Sequence, residues 1–555
     1  MSVLDFWIIG AYFALILWIA QWASRAKKNA EFSSVDYFLA GKDQGWLVIG
    51  ASLFASNIGS EIILGVSGAG ARGDMPLANF EILASLVLIL FGWVFVPFYL
   101  RTGVYTMPEF LEKRYSAACR NYLSVVSVLA YIITKISLII FAGALVFEVL
   151  GIPFWTGAIL TVVATGFYTV LGGLKAVIYT DMVQAFILLI GTAAVTIFGL
   201  YQIGGWEVMI DTLEGAAQTE GNPSASSFWN LWRPISDSDY PWTGMLFGAP
   251  ILGVWYWCTD QYIVQRALSA KDISNARKGA LFAGYLKLLP VFLFFLPGVI
   301  AFALMQQGEI SFSMEDADQA LPTLITTYLP MGLKGLAIAG LLAALMSSLS
   351  SAFNSSSTLL TIDFYQKMRP EASEKDLVRF GRLATVVLVL LSLGWIPFME
   401  TLMGGGIFKY LQSVQAYISP PIASVFLLGL FFKWINARAA IVALWSGFVV
   451  GISRLVLEFM SQEGVITVAS DSIIGQFLGI NFLHFALFLF VLCSAILIIV
   501  SRLGQPQDPA SLELVTFQKN RSVAFKWTTD VILTVVLIGL VLMLWWVFSP
   551  LGLAG

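Results

Sequence analysis

Apolar residues in this chain come in blocks of about 20 or more, separated by shorter polar connections, and a block of that length wound as an α-helix spans the core of a bilayer. Fourteen such blocks are predicted, at roughly 5–24, 46–71, 79–100, 121–149, 153–171, 178–201, 243–264, 278–306, 323–363, 380–400, 404–432, 437–459, 474–501 and 527–549. An even number places both termini on one side of the membrane. The connections at 25–45, 101–120, 265–277, 364–379 and 502–526 carry the basic clusters, among them Arg25, Lys27, Lys28, Arg114, Arg120, Arg266, Lys271, Lys367 and Arg369. The positive-inside bias assigns these to the cytoplasm. The alternate connections at 202–242 and 307–322 hold a single basic residue, Arg233, against acids such as Glu207, Asp211, Glu315 and Asp316. Both termini are therefore expected outside. The first block lacks a small-residue cleavage site and reads as a retained helix.

Two blocks contain features that a simple spanning helix avoids, ASNIGSEIILGVSGAG over 55–70 and GAPILGVWYWCTDQ over 248–261. Interrupted helices at matched positions are the mark of transporters built from inverted repeats, in which the freed helix ends bind ion and substrate near the midplane. The glycines also suit close helix packing, so each segment alone leaves both readings open. Five helices per half divide the chain into an N-terminal helix and loop (1–45), a first repeat (46–201), an external loop (202–242), a second repeat (243–432) and three C-terminal helices (433–555).

The run SSLSSAFNSSST from Ser347 places hydroxyls where a bilayer interior does not favour them. Ser347, Ser350 and Ser351 share a helix face by their spacing. Oxygen donors without excess charge suit a hard monovalent cation, and sodium is the candidate. The competing reading is that each hydroxyl bonds a carbonyl one turn back in its own helix. Charges at membrane depth, Glu61, Glu81, Lys135, Asp181, Asp260 and Lys287, tend to face a cavity or a partner. Glu81 and Lys287 occupy equivalent positions after the two breaks, and fit either a pair that bridges a polar ligand or a structural salt bridge. Arg454 and Glu458, four apart, read as a structural pair.

Composition narrows the classes. Hydrophobic residues make up 58% of the 555 and charged ones 12%, with mean hydropathy +0.83, which excludes an ordinary soluble enzyme. A net charge of −3 implies neither nucleic acid nor a polybasic lipid anchor. Cys119, Cys258 and Cys493 have no paired spacing, and neither disulfides nor thiolate metal sites are expected. His484 is the only histidine; there is no H-E-x-x-H and no G-x-x-x-x-G-K-[ST], so neither an intramembrane metalloenzyme nor an ATP-driven pump is indicated. A membrane sensor would carry a signalling domain, and no water-soluble stretch exceeds about 40 residues. The outer connections hold no usable glycosylation acceptor, since Asn222 precedes Pro223, which accords with a multi-pass protein of a bacterial plasma membrane.

The stretches DYFLAGK at Asp36, ASLFASNIGS at Ala51, TMPEFLEKRY at Thr106, WYWCTDQYIVQRALSAK at Trp255, GYLKLLP at Gly284, SSLSSAFNSSSTLLTIDFY at Ser347, PPIASVFLLGLFFK at Pro420 and GISRLVLEF at Gly451 resemble the sodium/solute symporters, and within them the sodium/glucose cotransporter group. The resemblance covers nearly the whole chain. It implies an all-α polytopic protein with a LeuT-type 5+5 inverted-repeat core, one helix before it and three after, working by sodium-driven alternating access. It also implies a common sodium site on Ala55, Ile58, Ala344, Ser347 and Ser348, and a second one on Asp181, Ser347, Ser350 and Ser351, hence two transported sodium ions. A small-molecule substrate, a sugar, and the lipid bilayer are the implied partners; no obligatory protein partner is implied.

For the substrate, the resemblance points to Glu81, Lys287 and Gln412 as polar contacts, with Asn57 at the first break, Tyr256 as the inner aromatic and Trp257 beside it. Val66, Phe80 and Phe408 match the outer gate. Two positions depart from the pattern: Ile62 replaces a glutamine or histidine, and Gly253 replaces an asparagine. Losing two hydrogen-bonding side chains alters which hydroxyls are read. A deoxy sugar, an inositol, a uronate paired with Lys287, or a small carboxylate stay open as alternatives to plain glucose or galactose.

Overall fold

The computed structural model describes residues 1–24, 33–149, 151–219, 221–314, 316–399, 407–462, 464–517 and 527–555. Arg25, Lys27, Lys28 and Glu315 lie outside the described residues. Helices build the molecule, and among the described residues eleven of them are long and apolar enough to cross a membrane. Counting the bent pair Trp46–Asn57 (α2) and Ser60–Arg72 (α3) as one span raises the number to twelve. Before them runs Val3–Ser24 (α1). The later helices are Met75–Thr102 (α4), Ala117–Glu148 (α5), Phe154–Val170 (α6), Gly172–Ile203 (α7), 244–259 (α8), Gln261–Leu268 (α9), Ile273–Gln306 (α10), Leu333–Met368 (α11), Glu374–Met399 (α12), Ile407–Phe431 (α13), Ala437–Gln462 (α14), Phe482–Leu503 (α15) and Thr529–Val547 (α16).

Two of the blocks predicted as separate spans form one run of helix, Phe154–Ile203, parted only at Gly173. That residue has φ +56° and ψ −156°, and a Cβ there would sit 2.5 Å from the Tyr37 carbonyl oxygen. Only glycine fits both the conformation and the space. The first predicted break falls at Ile58 and Gly59, where α2 and α3 meet at 63°. The second falls at Asp260, whose extended backbone (φ −81°, ψ 127°) ends α8 while its carboxylate accepts the Tyr262 N–H at 3.2 Å and so caps α9. The turn before it, Val254–Thr259, is π-helical and carries Tyr256 and Trp257.

Burial sorts the helices into centre and periphery. Of the most apolar stretch of α11, 94% is buried, against 28% for α1, 33% for α14 and α15, and 17% for α16. Glycine, alanine and serine dominate α11 from Gly335 to Ser357, and small side chains let it press against α2, α6 and α7. Three basic residues read from sequence as loop charges are instead internal anchors. Arg114 donates to the carbonyls of Gly429, Phe432 and Ile435 at 2.7, 3.0 and 3.0 Å. Arg120 binds Asp363 and Glu112, each at 2.6 Å, and Arg266 is completely buried. In each case the hydropathy of the neighbouring residues gives no hint that the fold folds back over the side chain. The Arg454–Glu458 pair forms at 2.8 Å, as its spacing predicts.

Candidate functional site

The end of α2 exposes carbonyls that have no partner one turn ahead. Those of Phe54 and Asn57 accept the N–H groups of Ile58 and Gly59 at 3.0 and 3.1 Å. Those of Ala55 and Ser56 are left to side chains of other helices. Ser347 Oγ on α11 lies 2.7 Å from the Ala55 carbonyl and 3.0 Å from that of Ala344. Ser348 Oγ donates to the Ser56 carbonyl at 2.8 Å, which also accepts the Tyr262 hydroxyl. One hydroxyl proton cannot serve two carbonyls, so Ala55, Ala344 and Ser347 form an oxygen cluster with an excess of lone pairs. A small cation relieves that excess. Of the five residues predicted for the common sodium site, three meet directly, Ser348 bonds the neighbouring carbonyl, and Ile58 is buried at the break beside them.

The hydroxyl run divides between the two readings made from sequence. Ser347 and Ser348 reach across to α2. Ser350 instead donates to the Ser347 carbonyl at 3.0 Å, and Ser355 and Thr358 bond back within α11 in the same way, while Ser351 Oγ lies within reach of both, 2.6 Å from the Ser347 carbonyl and 3.0 Å from Ser56 Oγ on α2.

Asp181 on α7 is fully buried, and its Oδ2 accepts Ser52 Oγ at 2.6 Å and Ser56 Oγ at 3.1 Å. Arg266 Nη2 stands 3.6 Å from the same oxygen and donates to Ser351 Oγ, which is itself 3.0 Å from Ser56 Oγ. A fixed guanidinium therefore occupies the place between Asp181 and Ser351. Asp181 Oδ1 has no hydrogen-bond partner among the described residues. Nothing in the sequence pattern marks Arg266 for this position, because it follows the second break by only six residues and reads as the start of a basic connection.

Next to the oxygen cluster, a cavity of about 70 Å³ lies between α3, α4, α5, α8, α10 and α13. Asn57, Ile62, Phe80, Glu81, Gly253, Tyr256, Trp257, Lys287 and Gln412, all predicted from sequence, line it. The Lys287 ammonium donates to both Glu81 and the Asn57 side-chain carbonyl, and stands 5.5 Å from the Trp257 ring. Tyr256 packs edge-on against Trp257 at 5.2 Å. The volume admits several waters. A Cβ on Gly253 would already lie 3.0 Å from Val87 Cγ2, so Val87 takes the room that an asparagine would need. Val66 is fully buried one turn beyond Ile62, and the Phe408 side chain lies outside the described residues.

Glu61, Lys135, Tyr262 and Gln415 also line the cavity without having been assigned to it. The first two were recognisable as charges at membrane depth. Lys135 pairs with Asp260 and sits 4.0 Å from the Tyr262 ring centre and 4.4 Å from that of Tyr256. The second break, the cavity and the ring of aromatic residues are thus one connected structure.

The profile of the "Sodium:solute symporter family" matches residues 37–447. Sodium/glucose cotransporter 1 of Mus musculus is 41% identical over 529 residues, covering 90% of this chain and 79% of that protein. Sodium/mannose cotransporter SLC5A10 of Bos taurus is 41% identical over 542 residues, covering 93% of this chain and 89% of that protein. The fold is shared with the solved substrate-bound outward-open state of a Na+-coupled sialic acid symporter, at a TM-score of 0.76 and 22% identity over 91% of this chain and 99% of that one.

Proposed function

Because the chain belongs to the sodium:solute symporter family, whose members are sodium-coupled transporters and not enzymes, we propose that it imports a sugar or sugar-like polyol together with sodium. The observation that carries this reading is the sharing of one helix break by two sites. Asn57 reaches into the polar cavity while Ala55, two residues earlier, joins the Ser347 oxygen cluster. A cation that orders the end of α2 also positions Asn57, so sodium and substrate raise each other's affinity by the same factor.

In this reading the path consists of fourteen membrane passages, with α6 and the α8–α9 pair added to the twelve. Both termini lie outside, residues 46–201 and 243–432 form the inverted repeats, and the membrane is a bacterial plasma membrane. The common sodium site comprises Ala55, Ile58, Ala344, Ser347 and Ser348, and the gates are Val66, Phe80, Phe408 and Tyr256. Sodium-coupled uptake of another organic solute is the alternative. The experiment is uptake into proteoliposomes with sodium or choline outside, over a panel of hexoses, inositols and uronates. Sodium-dependent accumulation of one sugar is the expected result; equal uptake in choline overturns the proposal.

A second sodium is assigned to Asp181, Ser347, Ser350 and Ser351, with Arg266 as its competitor for Asp181 and Ser351. One charge crossing 100 mV releases about 2.3 kcal/mol and a tenfold gradient about 1.4 kcal/mol, so one ion supports roughly 500-fold accumulation and two roughly 10⁵-fold. Asp181→Asn keeps the hydrogen bonds to Ser52 and Ser56 but removes the charge. It is expected to lower the sodium Hill coefficient from about two to about one and to remove one charge per substrate in current recordings. An unchanged Hill coefficient and charge ratio would count against the second site.

A further inference from the structure

The acidic and basic side chains around the cavity do not pair one to one. Lys287 pairs with Glu81 and Lys135 with Asp260, which leaves Glu61 over. Its side chain lines the cavity and is buried, its Oε2 has no hydrogen-bond partner, and it joins no ion pair among the described residues. The carboxylate folds over the break: a Cβ on Gly59 would sit 2.1 Å from Oε2, so the glycine makes the space in which it lies. Glu61 is in the first turn of α3, where the helix N-terminus stabilises a negative charge but satisfies only part of its hydrogen-bonding capacity.

We propose that Glu61 is a substrate-contacting residue whose free oxygen accepts hydrogen bonds from the hydroxyl or amino groups of the solute, so that the cavity takes neutral polyols and amino sugars and rejects uronates and other small carboxylates. A buried acceptor without a partner is costly, and a donor on the ligand removes that cost. An anionic solute would instead bring a second carboxylate beside Glu61, and two carboxylates sharing a buried site oppose each other's ionisation. Glu61 follows the break by two residues, and precedes Ile62, so it supplies from the adjacent position a polar contact that Ile62 cannot make. The inference rests on the sodium/sugar reading and narrows its substrate class.

The test compares the purified wild type with Glu61→Gln, by thermal shift and by competition for uptake, using glucose, glucosamine, myo-inositol and glucuronate in sodium and in choline. The wild type is expected to bind at least one of the first three in sodium and to discriminate against glucuronate. Glu61→Gln is expected to weaken the best of them on the order of 10- to 100-fold and to raise glucuronate relative to glucose by at least about tenfold. Stabilisation by sodium alone stays unchanged in the variant, which separates a substrate contact from a purely structural carboxylate. If Glu61→Gln does not fold, Glu61→Asp, with its carboxylate drawn back by one methylene, is read by the same ratio of glucuronate to glucose. Sodium-dependent sugar binding with an unaltered affinity and ratio in the variant overturns this inference alone. A wild type that prefers glucuronate overturns it while leaving sodium coupling intact, and one that binds no sugar in sodium overturns the sugar reading as well.

Discussion

Lys287→Met is expected to destabilise the protein and abolish substrate binding, while the double variant Lys287→Met/Glu81→Gln recovers stability without recovering binding. The ammonium is completely buried and donates to both Glu81 and Asn57. Removing one partner of a buried pair strands the other charge, at a cost of about 3–5 kcal/mol. Neutralising Glu81 removes most of that penalty, because two polar or apolar groups of similar size replace the pair. Binding does not return, since each charged hydrogen bond to a solute contributes about 1.5–3 kcal/mol, or roughly 10- to 150-fold in affinity. Melting temperature and substrate affinity, measured on the same samples in sodium, separate the two effects. A double variant with wild-type affinity would make the pair a structural bridge only.

The second large effect is expected at Ser347. Its hydroxyl lies within 3.0 Å of both the Ala55 and Ala344 carbonyls, so Ser347→Ala takes an oxygen from the centre of the cluster proposed to hold sodium. Sodium half-saturation should rise by more than about tenfold, with coupled uptake falling to background. Ser348→Ala is also expected to cripple coupling, but with a smaller loss of stability, because the Tyr262 hydroxyl still serves the Ser56 carbonyl. Ser350→Ala provides the contrast. Its hydroxyl bonds its own helix, and its loss leaves the common site intact. Wild-type sodium affinity in Ser347→Ala would show that the ion is held elsewhere.

Both effects meet at a few residues of α2 and α3. The chain from Ala55 to Glu61 supplies a carbonyl to the oxygen cluster around Ser347, an amide to Lys287 and a carboxylate to the cavity. A bend of 63° at Ile58 and Gly59 turns this one stretch toward two sites. A continuous helix could not do this, because its carbonyls would be consumed by N–H groups one turn ahead.

Much of this was legible in the chain itself. Long apolar blocks announce membrane helices because a bilayer accepts no unsatisfied backbone, and the requirement acts locally on each block. The breaks were visible as N-I-G and as the C-T-D that follows a glycine-rich segment, and Ser347, Ser348, Glu81 and Lys287 stood out as polar groups where lipid would exclude them. The spacing of Arg454 and Glu458 within one helix was sufficient to pair them.

What the chain alone did not determine is which distant groups meet. Arg266 looked like a cytoplasmic loop charge, yet α9 carries it against Asp181, 85 residues earlier in the chain, and Ser351, 85 residues later. Glu61 and Lys135 were equally conspicuous as buried charges, but only their placement shows that Lys135 has Asp260 and that Glu61 is left with a free oxygen. The hydroxyls of α11 could serve either their own helix or another, and the closeness of α2 decides for Ser347 and Ser348 while leaving Ser350 to its own turn. Sequence by itself determined the solvent each segment requires and the places where regular helix fails, because hydropathy and backbone hydrogen bonding are properties of neighbouring residues. Tertiary structure decided which charges pair and which oxygens gather at one place, because both depend on groups brought together across the fold.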